Sequence, residues 1–303
     1  MAQKSALLAG IGRLGIPVAE NLVRKGWKLA VSYREGHGSE KTVIGVIKKL
    51  GPNSILGINA SISEKKGAER FLTTALERLG RADALICFAS GYPGEKQDWQ
   101  RWEQGLGVRE EDWKFYLSNF FSARNVTLPL LQEMNNPAED LSIIFFSDAR
   151  SLLYMDHAVL DPYAGFGGVA KVDLDAVKKE GLRKMEVSAP AREVNPYTLA
   201  KRDLGHLTWA LALDFQGGRA RINTIAPGPM LPPPDKSAEE ARSVLEQTLL
   251  KRWGGETPIV QAVDFFLENP FVSGEILRVD GGFNLFNRFR GQKTEGRADG
   301  HRN

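Results

Sequence analysis

Seven short apolar runs alternate along this chain with longer stretches of helical periodicity, and that alternation limits the possible folds more than any other feature. Residues 5–8, 29–32, 55–58, 84–88, 142–146, 221–225 and 276–279 read as strands. Residues 16–25, 65–79, 111–134, 197–215 and 258–268 carry apolar side chains at spacings of three and four, the pattern of one helix face. Strand, helix and strand in repeated succession form a parallel sheet with right-handed crossovers and helices on both faces. The expected class is α/β, a doubly wound parallel sheet of about seven strands in a single domain over residues 1–286. The proline-rich stretch 227–234 reads as a loop inside that domain, because strand and helix patterns resume after it.

Charge and cysteine content exclude several function classes. The net charge is +3, and part of it sits in a polar, basic C-terminal tail, 287–303, read as solvated. The body of the chain has no basic patch with interleaved aromatics, so no nucleic-acid partner is expected. Cys87 is the single cysteine, which rules out an intrachain disulfide and suits a reducing cytoplasm. The histidines at 37, 157, 206 and 301 lack zinc-ligand spacing with one another or with Cys87, so no metal site is expected. The apolar run 6–11 is too short and too glycine-interrupted for a signal peptide or membrane span, so a cytoplasmic protein with no membrane partner is expected.

Gly10-Ile-Gly12-Arg-Leu-Gly15 follows the first strand and opens the first helix. In that context a glycine-rich turn brings backbone N–H groups and a helix N-terminus against a pyrophosphate, so a dinucleotide is expected. The second strand ends Val31-Ser-Tyr-Arg-Glu35. Arg34, with Arg13 from the turn, would pair with a 2′-phosphate and favour NADPH. Glu35 as a ribose acid keeps NAD open, and both arginines also read as ordinary surface charges.

Tyr197 and Lys201, in Asn195-Pro-Tyr-Thr-Leu-Ala-Lys201, lie four residues apart and share a helix face. A neighbouring ammonium favours phenolate and pulls a tyrosine down from its usual value of about 10, which makes a proton donor workable near neutral pH.

Taken in order, the glycine turn, Asp83-Ala-Leu-Ile-Cys-Phe-Ala-Ser90, Asn119, Tyr197-x-x-x-Lys201, Arg221-Ile-Asn-Thr-Ile-Ala-Pro-Gly228 and Gly274-Glu-Ile-Leu-Arg-Val-Asp-Gly-Gly282 resemble the short-chain dehydrogenase/reductase family over almost the whole chain. The resemblance implies a Rossmann-like fold, NAD(P)-dependent oxidoreduction of a small-molecule substrate, and a homo-oligomer, a tetramer or dimer. It makes Tyr197 the acid/base and Lys201 the holder of the nicotinamide ribose. Asn119 becomes the support of a proton relay. It implies cofactor contacts from Gly10, Gly12, Arg13, Leu14, Gly15, Ser32, Arg34, Ser61, Ala89, Tyr197, Lys201, Pro227 and Gly228. Where most members place a catalytic serine, this chain has Asp148, as pteridine reductases do. Arg13-Leu-Gly15 and Val31-Ser-Tyr-Arg34 are also similar to pteridine and dihydromonapterin reductases. An aspartate beside a tyrosine suits C=N reduction, because the nitrogen needs a proton as hydride reaches carbon. Two other readings stay open: Asp148 caps a loop, or Ser147 is the catalytic serine in a shifted register. Tyr92, after the fourth strand, is the nearest candidate to stack on a pterin, and reads equally as a loop tyrosine.

The chain also departs from the family pattern. Its glycine turn is one residue short, Ala9 replaces a common threonine or serine, Ser61 stands where an aspartate typically meets adenine, and Cys87-Phe-Ala-Ser90 replaces Asn-Asn-Ala-Gly. Asp148 and Tyr197 are 49 positions apart, so residues 151–194 constitute an insertion. Within it, 172–185 has the spacing of a short amphipathic helix. The insertion is read as a lid over the substrate pocket or as a subunit-contact elaboration. The enoyl-reductase variant of the family has tyrosine seven residues before the lysine; here that position is Val194, which argues against enoyl reduction. The expected activity is NADPH-dependent reduction of a C=N or C=O group in a small planar substrate, first a pterin. A carbonyl reductase or alcohol dehydrogenase is the alternative, and a non-catalytic dinucleotide sensor is a reading of another class.

Overall fold

The computed structural model describes residues 3–36, 38–91, 112–133, 140–154, 196–218, 220–232 and 237–295. Seven parallel strands form one sheet: β1 Ser5–Ala9, β2 Lys28–Tyr33, β3 Ile55–Asn59, β4 Ala84–Cys87, β5 Leu141–Phe146, β6 Ala220–Pro227 and β7 Ile276–Val279. Their spatial order is β3-β2-β1-β4-β5-β6-β7. The order reverses between β1 and β4, and such a switch point opens a crevice at the carboxyl ends of the strands.

Helix α1 (Gly15–Arg24), α2 (Gly38–Leu50) and α3 (Lys65–Leu79) connect the first four strands. After β4 come α4 (Trp113–Tyr116), a π-turn over Leu117–Phe121 and α5 (Ser122–Glu133), then β5 and a 3-10 helix, Ala149–Tyr154. Helix α6 (Pro196–Asp214) precedes β6, and α7 (Ala238–Glu246) and α8 (Thr257–Glu268) precede β7. Helix α9 (Phe283–Glu295) follows β7 and includes residues 287–295, which the sequence reading assigned to a solvated tail.

Alternate side chains of each strand enter opposite layers, as a pleat requires. Leu7, Leu85, Cys87, Ile143, Phe145 and Ile222 pack with α3, α5 and α6 on one face. Leu8, Val31, Ile86, Ile144, Phe146 and Ile225 pack with α1, α2 and α8 on the other. Both faces are therefore dry, which is why these strands read as unbroken apolar runs. Each fully buried Leu, Ile or Phe contributes about 1.5–3 kcal/mol over its exposed state.

Three helices lay outside the sequence reading. Helix α7 had a usable signal, since Ser237 and Glu240 form a reciprocal capping box. Its lack of any buried residue explains its faint apolar pattern. The start of α9 is organised by Asp280, whose carboxylate accepts from the Gly282 and Asn284 amides at 2.9 and 2.8 Å. Helix α2 shows only Val43 and Val46 buried. The one helix expected over 111–134 is divided by the π-turn, in which the Ser122 amide donates to the Leu117 carbonyl.

Candidate active site

The ends of β1, β4, β5 and β6 bring the sequence-predicted residues to one edge of the sheet. At β1, Gly10 has φ +79°, and a Cβ there would lie 3.0 Å from the backbone of Ala89. Its amide donates to Ser32 Oγ at 2.8 Å, tying the turn to β2. The Gly12 carbonyl accepts from the Gly15 and Ile16 amides at 2.9 and 3.2 Å as α1 begins. A Cβ on Gly12, by contrast, would meet nothing within 4 Å, so protein packing does not demand that glycine. Leu14, at the helix N-cap, offers no side-chain cap. A bare backbone over open space beside an uncapped helix start fits a pyrophosphate, so the shortened turn keeps the features that grip one.

At the end of β2, Arg34 is exposed and its guanidinium pairs with no carboxylate among the described residues. Glu35 is engaged differently: its Oε2 accepts from Asn59 Nδ2 at 2.8 Å, and its amide donates to Asn59 Oδ1 at 3.2 Å. Arg13 Nη2 donates to the Pro232 carbonyl at 3.0 Å, linking the glycine turn to the loop after β6. Ser61 Oγ lies 3.3 Å from Ser63 Oγ. At the β6 end, Gly228 donates to the Val279 carbonyl at 2.9 Å, and a Cβ there would come within 2.6 Å of the Asp280 Cα. Only glycine permits that approach, so Pro227 and Gly228 are fixed in place by β7.

The end of β5 and the start of α6 carry the candidate proton-transfer groups. Tyr197 is buried, and its hydroxyl donates to Asp148 Oδ2 at 3.0 Å. The other oxygen of Asp148 accepts from the Arg150 amide at 2.8 Å, capping the 3-10 helix that follows. Asp148 therefore caps the loop with one oxygen and meets the phenol with the other. Ser147 is turned the other way. Its hydroxyl is buried, donates to the Lys201 carbonyl at 2.6 Å and lies 3.0 Å from Ser151 Oγ. Just beyond β5, then, the side chain of Ser147 meets the α6 backbone and that of Asp148 meets Tyr197.

Lys201 is 3% exposed. Its ammonium donates to the Phe146 carbonyl at 2.8 Å and lies 5.8 Å from the centroid of the Tyr197 ring. Burial lowers its pKa to about 8, against the pull of the nearby Asp148 charge. Asn119 sits in the π-turn, fully buried, and its Nδ2 donates to the Gly91 and Phe115 carbonyls at 2.9 and 2.6 Å. Its Oδ1 accepts from Ser90 Oγ at 2.9 Å. The side chain thus clamps the turn after β4 onto the helix, a role carried by its amide. Cys87, in place of the usual amide on β4, is buried, and burial pushes its thiol up to about 12. Tyr92 and nearly all of the insertion lie outside the described residues.

Sequence reasoning missed Ser90, Ser151, Tyr116 and Asp203. The first two are small hydroxyls whose partners are set by tertiary packing. Asp203 did carry a signal, because a charged pair, Arg202-Asp203, directly follows Lys201 on a helix that is otherwise largely apolar.

Comparison with known proteins places the chain among oxidoreductases of similar length. Residues 183–284 match the family model described as Enoyl-(Acyl carrier protein) reductase. A glucose 1-dehydrogenase of Gluconobacter oxydans is 29% identical over 305 residues, covering 95% of this chain and 94% of that protein. Pteridine reductase 1 of Leishmania tarentolae is 24% identical over 306 residues, covering 92% and 96%. Along nearly its whole length the chain is thus similar to short-chain dehydrogenases/reductases. Among solved structures, a short-chain dehydrogenase/reductase from Serratia marcescens superposes with a TM-score of 0.66 at 19% identity, over 93% of this chain and 98% of that one. These likenesses support an NAD(P)-dependent dehydrogenase or reductase. No helix among the described residues is long and apolar enough to cross a membrane.

Proposed function

We propose that this chain is a short-chain dehydrogenase/reductase acting as an NADPH-dependent reductase of a C=N or C=O group in a small planar substrate, a pterin first. The observation that carries the reading is the hydrogen bond from Tyr197 to Asp148, with the Ser147 hydroxyl facing away. A carboxyl group against the phenol gives a two-member proton store. Tyr197 stands to protonate the substrate atom next to the reacting carbon, and Asp148 to exchange a proton with Tyr197 or with a ring nitrogen. Lys201 keeps a positive charge beside the phenol below about pH 8, and Asn119 holds the β4 turn that borders the site. The reduced nicotinamide supplies the hydride when bound.

The preference for NADPH rests on Arg34, exposed at the end of β2, and on Glu35, whose carboxylate is held by Asn59 instead of presented to a ribose. The pterin rests on Asp148 and on the full-length pteridine reductase relative. Ketone reduction is the second reading, favoured by the Tyr197–Lys201 geometry, which needs no carboxylate. Homo-oligomerisation is proposed from the habit of the family.

The test is oxidation of NADPH with dihydrobiopterin and with a panel of ketones and cyclic imines. Asp148→Asn should lower pterin turnover by roughly 10²–10⁴-fold while NADPH binding persists, and Ser147→Ala should stay within a few-fold of wild type. A pterin rate that depends on Ser147 and not on Asp148 rejects this reading. Tyr197-dependent turnover of ketones alone moves the substrate to a carbonyl compound, and tight NADPH binding with no turnover on the panel favours a sensor.

A further inference from the structure

The catalytic helix carries a second buried polar cluster that the proposed chemistry does not use. Arg202, Asp203 and His206 are 7%, 1% and 2% exposed, and Tyr116, across from them on α4, is 1% exposed. Tyr116 donates its hydroxyl proton to Asp203 Oδ2 at 2.6 Å. Arg202 donates to Asp203 Oδ1 through Nε and Nη2 at 3.1 and 2.9 Å, and His206 Nδ1 lies 3.7 Å from the same oxygen. Burial alone would raise the Asp203 carboxyl; His206, the Arg202 charge and the Tyr116 hydroxyl outweigh it and hold the group below its ordinary value. A buried ion pair gives little net stability over apolar side chains of the same size, so stability is a poor account of why these groups lie here. What a short, directional bond does supply is register.

The registered parts are the two helices of the site. Tyr116 precedes Asn119 by three residues, about one helical turn, at the mouth of the π-turn. Asp203 follows Lys201 by two residues and Tyr197 by six on α6. The opposite flank of α6 is already fastened to β5, through Ser147 to the Lys201 carbonyl and Lys201 to the Phe146 carbonyl. The π-turn in turn holds the β4 turn through Asn119. Apolar packing between the helices tolerates small slides, whereas a 2.6 Å hydrogen bond to a carboxylate fixed by a guanidinium does not. π-turns recur at functional sites, and one without a fixed reference would leave Asn119 free to shift against the phenol.

We propose that Tyr116 and Asp203 are positioning residues that set the register of the Asn119 π-turn against the helix bearing Tyr197 and Lys201. This rests on the reading of Tyr197 as the proton donor. Neither side chain touches the reacting atoms.

The test uses the full chain with NADPH and dihydrobiopterin as probes. Tyr116→Phe removes one hydroxyl and keeps the ring, so it avoids the unpaired Arg202 charge that Asp203→Asn would leave. The expected result is a kcat lowered about tenfold, with KM for both probes within about twofold, since a misplacement well short of 1 Å already costs a substantial rate factor. Asp203→Asn, in whatever fraction folds, should add little to kcat loss in the Tyr116→Phe background, because both act through one bond. A lower Tm with unchanged kcat makes the cluster merely structural and overturns the proposal. Tyr197→Phe is run alongside: if it keeps turnover, the donor assignment fails, whereas an inactive Tyr197→Phe with full-rate Tyr116→Phe rejects the positioning role alone.

Discussion

Replacing Lys201 with Met should make the protein more stable near neutral pH while removing its activity. Burial lowers the Lys201 pKa from 10.5 to about 8. The unfolded chain therefore holds this proton more tightly than the native state, and stability rises with pH through the window between those values. Below that window the native state keeps a charged ammonium in a dry site at a cost of about 3 kcal/mol, from about 2.5 pKa units at 1.36 kcal/mol each. Met fills a similar volume with no charge. It loses the bond to the Phe146 carbonyl, worth about 1 kcal/mol. The net gain expected near pH 7 is about 2 kcal/mol. By about pH 9.5 the charging penalty in the wild type has fallen by about 2 kcal/mol, so the two proteins converge. Urea melts of both proteins at a series of pH values measure this difference directly, and the subtraction cancels groups that titrate alike in each. A variant less stable than wild type near pH 7, or an advantage that does not shrink with rising pH, would refute the claim that Lys201 is held charged against its surroundings.

Three further outcomes test other parts of the site. Gly228→Ala puts a Cβ within 2.6 Å of the Asp280 Cα, so it should destabilise the fold by about 1–3 kcal/mol and weaken cofactor binding, read by thermal melts and NADPH fluorescence titration. Arg34→Glu should weaken NADPH binding by roughly 10–100-fold and leave NADH nearly unchanged, which paired titrations resolve; equal losses for both would remove Arg34 from 2′-phosphate recognition. Cys87, buried with its thiol pushed up to about 12, should resist iodoacetamide in the native protein and react once urea unfolds it, followed by mass spectrometry.

The sequence alone determined the sheet and the candidate residues along its edge, because both depend on local pattern. Strands buried on both faces must be continuously apolar, and those runs located every strand of the sheet to within about two residues. The glycine turn, Tyr197-x-x-x-Lys201 and Pro227-Gly228 are each contiguous, so they stood out as candidates without coordinates. Helices α2 and α7 escaped because few or none of their residues face a core, and without a buried face the periodic signal fades. The tertiary structure decided what depends on direction and on distant partners. Ser147 and Asp148 are neighbours just past β5, yet one side chain meets the α6 backbone and the other a phenol 49 positions away. Likewise, Tyr116 and Asp203 lie 87 positions apart. No spacing in a sequence encodes that meeting; it exists because two helices packed on one sheet face bring a hydroxyl and a carboxylate within hydrogen-bond reach.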